Sequence, residues 1–562
     1  MPTLIPACIP DDVSESVAKH MQARQALISE EKQQRSDAIF RTTLTPTAQR
    51  ACAIVSRIRA DEATNIWRKA SNGDDGDEEL YPGMMFTLAK ARMESTKLWH
   101  IARKMPKGAL LHCHMGAMVD LKWLYELTLA TEGMYFFSPV ALDCERERGR
   151  AGVQFQYCSV APERVEGAAG AVWEAGYVPG TLVEARVAAD TFPDGGREGF
   201  VQWLVGRTSI LEKESIEHHL GVDAVWRKFT SGFIILGSII YYEPILRAFI
   251  RKLLQTIAED GVQWVELRDT FTTPYILEGQ DRPTDDYNDM VRAIGEEIEK
   301  FKKTKEGENF WGGRIIWTAL RMMDAEYIIQ NMQKCIRAKK AYPHLIAGFD
   351  LVGQEDLGRP HKDITPELMW FRQKRIEENL EIPFFFHAGE CLGDGDSTDE
   401  NLYDAIIMGT RRIGHGFSLY KHPKLIDMVK EKRILIESCP ISNEVLRLTS
   451  TVLAHPLPAL LARGVPASLS NDDPAMLGQG TSGMSHDFWE ALQAWENLGL
   501  AGLGSLAENS VRWGAYEDQT EEEWQADINK GLEGVGVRAE RMRQWRESWE
   551  RFCQWIVDEY GE

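Results

Sequence analysis

The spacing of hydrophobic and polar residues changes near residue 105. Residues 10–104 are rich in Ala, Glu, Arg and Lys, with apolar residues at helical spacing, which predicts several helices. From Gly108 onward, short β-prone runs alternate with longer helical stretches, which is typical of βα units around a parallel sheet. After about Asn509 the chain is rich in Glu and Trp at helical spacing, which predicts a helical C-terminal segment.

Eight apolar runs are predicted to form strands: 108–111, 262–267, 314–320, 345–351, 382–386, 412–414, 433–437 and 465–468. Eight parallel strands close a (β/α)8 TIM barrel, so we predict an α/β fold of that type. The gap between the first two runs is too long for one crossover helix, which predicts an inserted module with a strand at 153–157. The predicted divisions are an N-terminal helical extension (1–104), the start of the barrel (105–130), the inserted module (131–250), the rest of the barrel (251–515) and a C-terminal helical appendage (516–562).

Composition narrows the choice of partners and compartment. The 562 residues carry a net charge of −21, and such a surface repels nucleic acid and anionic membranes. The N-terminus has no basic start followed by an apolar core, and no Asn-x-Ser/Thr sequon occurs. The nine cysteines are odd in number and scattered. We therefore expect a cytoplasmic protein, with secretion by a non-standard route left open, and spacing alone leaves a Cys144–Cys158 pair open.

Four short patches with metal-binding or proton-transfer side chains follow predicted strands. His112 and His114 are two apart, so both face the same side of a strand. The other patches are His387 with Glu390, His415 between two glycines, and Asp472 with Asp473. Three imidazoles and one carboxylate suit a catalytic metal, and the remaining Glu, His and Asp suit proton transfer.

Each patch has an ordinary explanation when it is taken alone. His112, His114 and His387 fit core or surface histidines, and His415 fits a turn. The Asn-Asp-Asp-Pro run that contains Asp472 also fits a turn. Together, however, the patches fall at the carboxyl ends of the first, fifth, sixth and eighth predicted strands, where barrel enzymes place their catalytic residues. The combination predicts a metal-dependent hydrolase.

Six segments resemble the adenosine and AMP deaminase superfamily, specifically its adenosine deaminase-related growth factor branch. In chain order they are MPKGALLHCH (105–114), GFDLVGQED (348–356), FHAGE (386–390), RIGHG (412–416), CPISN (439–443) and SNDDP (470–474). The resemblance covers roughly residues 85–515. It implies a (β/α)8 barrel, a module inserted after the first strand, and an N-terminal extension that serves dimerisation.

The resemblance also implies a role for individual residues. One zinc ion per chain is expected to be held by His112, His114, His387 and Asp472. Glu390 matches the proton donor to purine N1, and His415 matches the histidine beside the attacking hydroxide. Asp473 matches the carboxylate that faces the hydroxide and purine N7, and the Gly353 backbone N–H matches the donor to purine N3. The expected reaction is hydrolytic deamination of adenosine or 2′-deoxyadenosine by a homodimer.

The sequence departs from the family pattern in three places. The family's Asp that meets the ribose 5′-hydroxyl, two residues after the second histidine, is Gly116 here. This departure leaves open a 5′-phosphorylated or N6-substituted adenine nucleotide, such as AMP or N6-methyl-AMP. Secreted members have a signal peptide, which is not seen here, and Cys144 with Cys158 matches their cysteine pair. A catalytically silent interaction protein on the same fold is the alternative from another class.

Overall fold

The computed structural model describes residues 11–67, 81–162 and 171–561. The region before the first strand is helical, as predicted. Thr45 and Thr96 cap two of its helices by accepting hydrogen bonds from the backbone N–H groups of Ala48 and Trp99. The helices are α1 (Asp11–Gln34), α2 (Ala38–Thr42), α3 (Pro46–Glu62), α4 (Phe86–Met93) and α5 (Lys97–Lys104).

The strands alternate with helices along the rest of the chain. In chain order they are β1 (Gly108–His114), β2 (Met134–Phe137), β3 (Gln154–Tyr157), β4 (Val183–Glu184), β5 (Val262–Asp269), β6 (Gly312–Leu320), β7 (Ile346–Val352), β8 (His387–Ala388), β9 (Arg412–His415), β10 (Leu435–Ser438) and β11 (Ala467–Leu469). Two parallel sheets contain eight of these strands, in the orders β1-β5-β6-β7 and β8-β9-β10-β11.

Two isolated bridges join these sheets into a ring of eight parallel strands. Phe349 on β7 pairs with Phe384, just before β8, and Cys113 on β1 pairs with Asp472, just after β11. The second bridge has two hydrogen bonds, from the N–H of His114 to the Asp472 carbonyl (3.1 Å) and from the N–H of Asp472 to the His112 carbonyl (3.2 Å). The predicted (β/α)8 barrel is therefore confirmed.

The fifth barrel strand differs from its predicted position at 382–386. Its regular ladder is limited to His387–Ala388, although the preceding segment is extended and hydrogen-bonded on both sides. The N–H of Phe385 donates to the Phe349 carbonyl, and the N–H of Arg411 donates to the Phe384 carbonyl, each at 3.0 Å. The N–H of Phe386 donates to the Thr410 hydroxyl, so the regular ladder begins only at His387.

The segment between β1 and β5 adds a small sheet and several helices. Strands β2, β3 and β4 form an antiparallel sheet in the order β3-β2-β4, and Phe136 on β2 packs against Phe155, Trp173 and Phe200. The helices here are α6 (Leu121–Ala130), α7 (Glu145–Arg150), α8 (Ala185–Asp190), α9 (Gly196–Thr208), α10 (Glu212–Ser215), α11 (Val222–Ile240) and α12 (Glu243–Glu259). The predicted strand at 153–157 is present as β3, whereas the domain boundaries stay a prediction.

The remaining helices cover the barrel and its amino-terminal end. They are α13 (Asn288–Phe301), α14 (Ala325–Ala341), α15 (His361–Glu377), α16 (Asn401–Ile407), α17 (Pro423–Glu431), α18 (Pro440–Val445), α19 (Leu457–Ala462), α20 (Gly483–Ala494), α21 (Gly499–Arg512), α22 (Glu521–Lys530) and α23 (Val537–Tyr560). The Trp545 and Trp549 rings on α23 pack against Phe40 on α2, so the helix α23 contacts the helical region before the first strand.

The interior of the barrel contains a buried ion network above an apolar layer. The Arg268 guanidinium donates to Asp350 (2.9 Å) and Glu437 (2.7 Å). The Arg412 guanidinium donates to Glu437 and Glu266, both at 2.5 Å, and lies over the Phe385 ring at 3.9 Å. Each of these charged side chains is buried, so their mutual pairing is what makes their burial tolerable.

Cys144 and Cys158 are free thiols, as are the other cysteines of the described residues. No helix in the described part of the chain is long and apolar enough to cross a bilayer.

We predict that Arg268→Met destabilises the barrel strongly. The substitution leaves the buried Asp350 and Glu437 carboxylates without this cation, which costs about 3–5 kcal/mol of the free energy of unfolding. Arg292→Met is the matched control, because Arg292 is partly exposed and pairs with Asp289 and Glu296 on the surface of α13. The control loses at most about 1 kcal/mol. Urea unfolding followed by tryptophan fluorescence measures both, and equal losses contradict the prediction.

Candidate active site

The side chains predicted to bind a metal meet at the carboxyl ends of the barrel strands. His112 and His114 lie on β1, His387 begins β8, and Asp472 follows β11. One ligand atom from each of these four residues lies within 4.8 Å of the other three. The closure of the ring brings Asp472 to His112 and His114, although hundreds of residues separate them in sequence.

The distances between the potential ligand atoms, and their lack of hydrogen-bond partners, indicate whether a metal ion fits between them. His112 Nε2 lies 3.3 Å from Asp472 Oδ1, and His114 Nε2 lies 3.2 Å from the same oxygen. Although both are buried, His112 Nε2 and Asp472 Oδ1 have no hydrogen-bond partner in the described residues. Unpaired buried polar atoms are costly, and three imidazole nitrogens with one carboxylate oxygen form a donor set for a divalent ion. The four residues therefore fit a single bound metal.

A second group of potential ligands shares His112 and Asp472 with the first and adds His415 and Cys439. Burial is the largest cause that raises the pKa of the Cys439 thiol well above its usual value. This second group offers two imidazole nitrogens, whereas the first offers three, as in many catalytic metal sites. The His112, His114, His387 and Asp472 group is the better candidate.

Two buried carboxylates orient the histidines from behind. Glu437 Oε2 lies 2.8 Å from His112 Nδ1, and Asp350 Oδ2 lies 2.6 Å from His387 Nδ1. A carboxylate on Nδ1 holds the ring with Nε2 free for a metal. The same carboxylates bind Arg268, so the ion network in the barrel fixes both imidazoles.

Backbone geometry also adapts to these side chains. Asp472 and His415 both have a positive φ, of 57° and 61°, a costly conformation for a residue other than glycine. A Cβ atom at Gly414 would lie 2.6 Å from His112 Cε1, so a glycine is needed for the imidazole to occupy its place. Ser442 Oγ donates to Asp472 Oδ2 at 2.7 Å and helps to hold this carboxylate.

The predicted catalytic residues surround the ligand cluster. His415 Nε2 lies 3.6 Å from Glu390 Oε1 and 3.9 Å from Asp472 Oδ2. Burial first, and then the Asp472 and Glu355 carboxylates, raise the pKa of Glu390 well above its usual value. Burial and the neighbouring Asp472 likewise raise the pKa of Asp473 well above its usual value. A bound cation would weaken the effect of Asp472, whereas burial would remain.

Comparison with known proteins identifies the family. The family model described as adenosine deaminase matches residues 211–530. The chain is 31% identical to adenosine deaminase 2-A of Danio rerio over 448 residues, which are 79% of this chain and 82% of that protein. It is 34% identical to an adenosine deaminase of Lutzomyia longipalpis, with 79% and 82% covered, and 32% identical to adenosine deaminase 2 of Sus scrofa, with 84% and 83% covered.

The chain belongs to the adenosine deaminase family. Within it, the relatives place the chain in the adenosine deaminase-related growth factor branch, and membership makes it a hydrolytic deaminase. Both of these predictions from sequence are confirmed. The roles of the individual site residues stay predictions.

The cluster of this deaminase opens into a cavity of about 510 Å³. One wall is the apolar face of α11, with Phe229, Phe233 and Ile234. The predicted substrate residue Gly353 follows β7, lines the cavity and has a φ of 107°, which favours glycine. Gly116 also lines it, and a Cβ there would contact Ile240 at 3.5 Å.

Sequence reasoning missed several residues that support the site. Glu437 and Asp350 carry the orienting hydrogen bonds, and Asn443 Nδ2 lies 3.2 Å from His415 Nδ1. The sequence does contain a signal for the two carboxylates, because each one places a charged residue in an otherwise apolar predicted strand. Asn443 was seen only as part of a family segment, and its contact with His415 depends on the fold.

We predict that His387→Ala abolishes metal binding by the purified deaminase. The loss of one of three imidazole nitrogens leaves too few ligands for a tight site. His344→Ala is the control, because His344 is exposed and outside the cluster. Inductively coupled plasma mass spectrometry should find about one ion per chain in the wild type and in the control, and almost none in His387→Ala. Equal metal in all three proteins would refute the assignment of His387.

Proposed function

We propose that this deaminase converts adenosine or 2′-deoxyadenosine to inosine or deoxyinosine and ammonia, with one zinc ion per chain. The observation that carries the proposal is the convergence of four metal-binding side chains with Glu390, His415 and Asp473 at one cavity. Membership in the adenosine deaminase family supports the same reaction. Three nitrogens and one carboxylate oxygen are a donor set that zinc favours over magnesium or calcium.

His112, His114, His387 and Asp472 would hold the ion, which supplies a water nucleophile at neutral pH by lowering the pKa of that water. Glu390 would protonate purine N1 as the water oxygen adds to C6, which keeps negative charge from building on the ring. One water proton would pass to the Glu390 carboxylate that this leaves, and the proton of the new C6 hydroxyl would then leave with the amine as ammonia. The raised pKa of Glu390 supports this role, because a proton donor must retain its proton until the substrate binds.

Asp473 and Gly353 would orient the purine. Asp473 is buried, and its Oδ1 has no hydrogen-bond partner among the described residues. A protonated Asp473 could donate a hydrogen bond to purine N7, and the raised pKa of its carboxyl supports that state. Gly353 would place its backbone N–H against purine N3. His415 would face the attacking water.

The charges around the cavity favour a nucleoside over a nucleotide. Arg268 is the one Lys or Arg side chain among the described residues that line the cavity. Its guanidinium is already paired with Asp350 and Glu437. Burial raises the pKa of Asp269, which also lines the cavity, to about 7, and the described lining offers a 5′-phosphate no unpaired cation.

The cavity lining shows what surrounds Gly116, the position at which the family pattern has an Asp. Ile240 and Phe233 are the side chains nearest to a Cβ built at this glycine. The missing carboxylate is therefore replaced by apolar surface and not by a cationic group that would bind phosphate. The AMP and N6-methyl-AMP alternatives gain no support from this arrangement. The cytoplasmic location and the homodimer stay predictions.

We predict that adenosine and 2′-deoxyadenosine are turned over much faster than AMP. Release of ammonia from adenosine, 2′-deoxyadenosine and AMP, and of methylamine from N6-methyl-AMP, measures this at equal protein concentration. Glu390→Gln should lower kcat by about 10²–10⁴-fold, because it removes the proton donor and keeps the shape of the side chain. Glu306→Gln, on the exposed surface, is the matched control and should leave kcat unchanged. Faster turnover of AMP than of adenosine would overturn the choice of substrate.

We predict that zinc restores activity to the metal-free protein. Removal of the ion with a chelator should abolish ammonia release and lower the melting temperature, because an ion that binds only the folded state stabilises it. One equivalent of Zn²⁺ should recover both, whereas Mg²⁺ and Ca²⁺, which prefer oxygen ligands, should recover neither. Full activity in the chelated protein would contradict the proposed role of zinc.

A further inference from the structure

The His415 ring has one nitrogen in contact with protein and one directed at the reaction site. Nδ1 lies 3.2 Å from Asn443 Nδ2. Nε2 faces Glu390 and Asp472 across 3.6 and 3.9 Å. A neutral imidazole carries its proton on one of these nitrogens, and only a ring with a bare Nε2 can remove a proton from water.

A chain of hydrogen bonds determines which nitrogen carries the proton, and it begins at Leu457. The backbone N–H of Leu457 donates to His455 Nδ1 at 3.1 Å. A backbone N–H is always a donor, so His455 Nδ1 accepts and the proton of the neutral ring lies on Nε2. His455 is neutral because burial lowers its pKa to about 3.

Each hydrogen bond needs one donor and one acceptor, and this rule also assigns the contacts from His455 to Asn443 and from Asn443 to His415. His455 Nε2 lies 3.0 Å from Asn443 Oδ1, so its N–H donates to that oxygen. This contact fixes the Asn443 carboxamide, because the reversed amide would direct its NH₂ at another N–H. The amide nitrogen therefore points at His415 and donates to Nδ1.

We propose that His455 and Asn443 are positioning residues that hold His415 as the tautomer with its proton on Nε2. In this state His415 donates a hydrogen bond to the oxygen of the attacking water and does not take a proton from it. The inference deepens the proposed function, on which its consequence for catalysis rests. It decides between the two roles open to this histidine, as base and as hydrogen-bond donor.

Packing makes the chain of hydrogen bonds rigid. Asn443, on α18, and His455 are both buried. Rings of Phe417 and Trp495 contact His455 at centroid distances of 5.4 and 5.7 Å. A protonated His415 would direct Nδ1–H at the Asn443 NH₂ group, so the same contacts also disfavour the doubly protonated ring.

Asn443→Asp tests the proposal with almost no change of shape. A carboxylate accepts from both sides, so it still pairs with His455 but draws the His415 proton to Nδ1. We expect kcat for adenosine to fall about 10²–10⁴-fold with KM changed only a few-fold, because the donor to the attacking water is lost. Asn497→Asp, at an exposed position, is the matched control and should keep full activity. Metal content is measured in each variant, and the comparison is made between proteins that retain the ion.

Two His455 variants separate positioning from packing. His455→Gln keeps a donor toward Asn443 Oδ1 and should retain kcat within about fivefold, whereas His455→Phe keeps the ring packing, loses the donor and should resemble Asn443→Asp. Equal kcat in the two variants would overturn the proposal.

Nitrogen-15 NMR of the histidine side chains in the purified deaminase gives a readout that needs no turnover. We expect His415 to show a bare Nδ1 and a protonated Nε2 in the wild type, and the reverse in Asn443→Asp. A protonated Nδ1 in the wild type overturns the proposal whatever the substrate is. Absence of purine deamination by the wild type, with the expected nitrogen shifts, would instead reject the proposed function and leave the tautomer assignment intact.

Discussion

The pairing of Arg268 with Asp350 and Glu437 is the interaction on which the active site depends. The three groups are buried in the barrel, where an unpaired charge is costly, so each one needs the others. Each of the two carboxylates also forms a hydrogen bond with an imidazole, Asp350 with His387 and Glu437 with His112. One guanidinium thereby sets the direction of two imidazoles that come from different strands.

Charge balance links this network to the metal site. Glu266, Glu437 and Asp350 face the two guanidinium groups of Arg268 and Arg412, which leaves one negative charge in excess. Asp472 adds a second at the mouth of the barrel. A divalent cation held there would balance both, which would let so many carboxylates coexist in a buried region. The bridge between Cys113 and Asp472 closes the barrel and brings this carboxylate to the histidines in one step.

Much of this arrangement was predictable from sequence, for reasons that differ among residues. The two-residue spacing of His112 and His114 indicates a shared strand face, and apolar runs that end in His387 or His415 indicate strand ends. The regular ladder of the fifth strand begins at His387, after the predicted 382–386, because the Phe386 N–H donates to the Thr410 hydroxyl, a contact that an apolar run does not reveal. The hydrogen bonds that join Leu457, His455 and Asn443 depend on how these residues pack in the fold, which the spacing of residues in the sequence does not predict. The absence of an unpaired cation in the described lining of the cavity likewise appears only when the partners of Arg268 are known.

Anomalous X-ray diffraction at the zinc edge, from crystals of the protein as purified, would show whether the four ligand residues hold a zinc ion. We expect one strong peak per chain between the Nε2 atoms of His112, His114 and His387 and the carboxylate of Asp472. Ligand distances should be about 2.0–2.2 Å. No peak at this position, or a single peak bound by other side chains, would contradict the assignment of these four residues as the metal ligands.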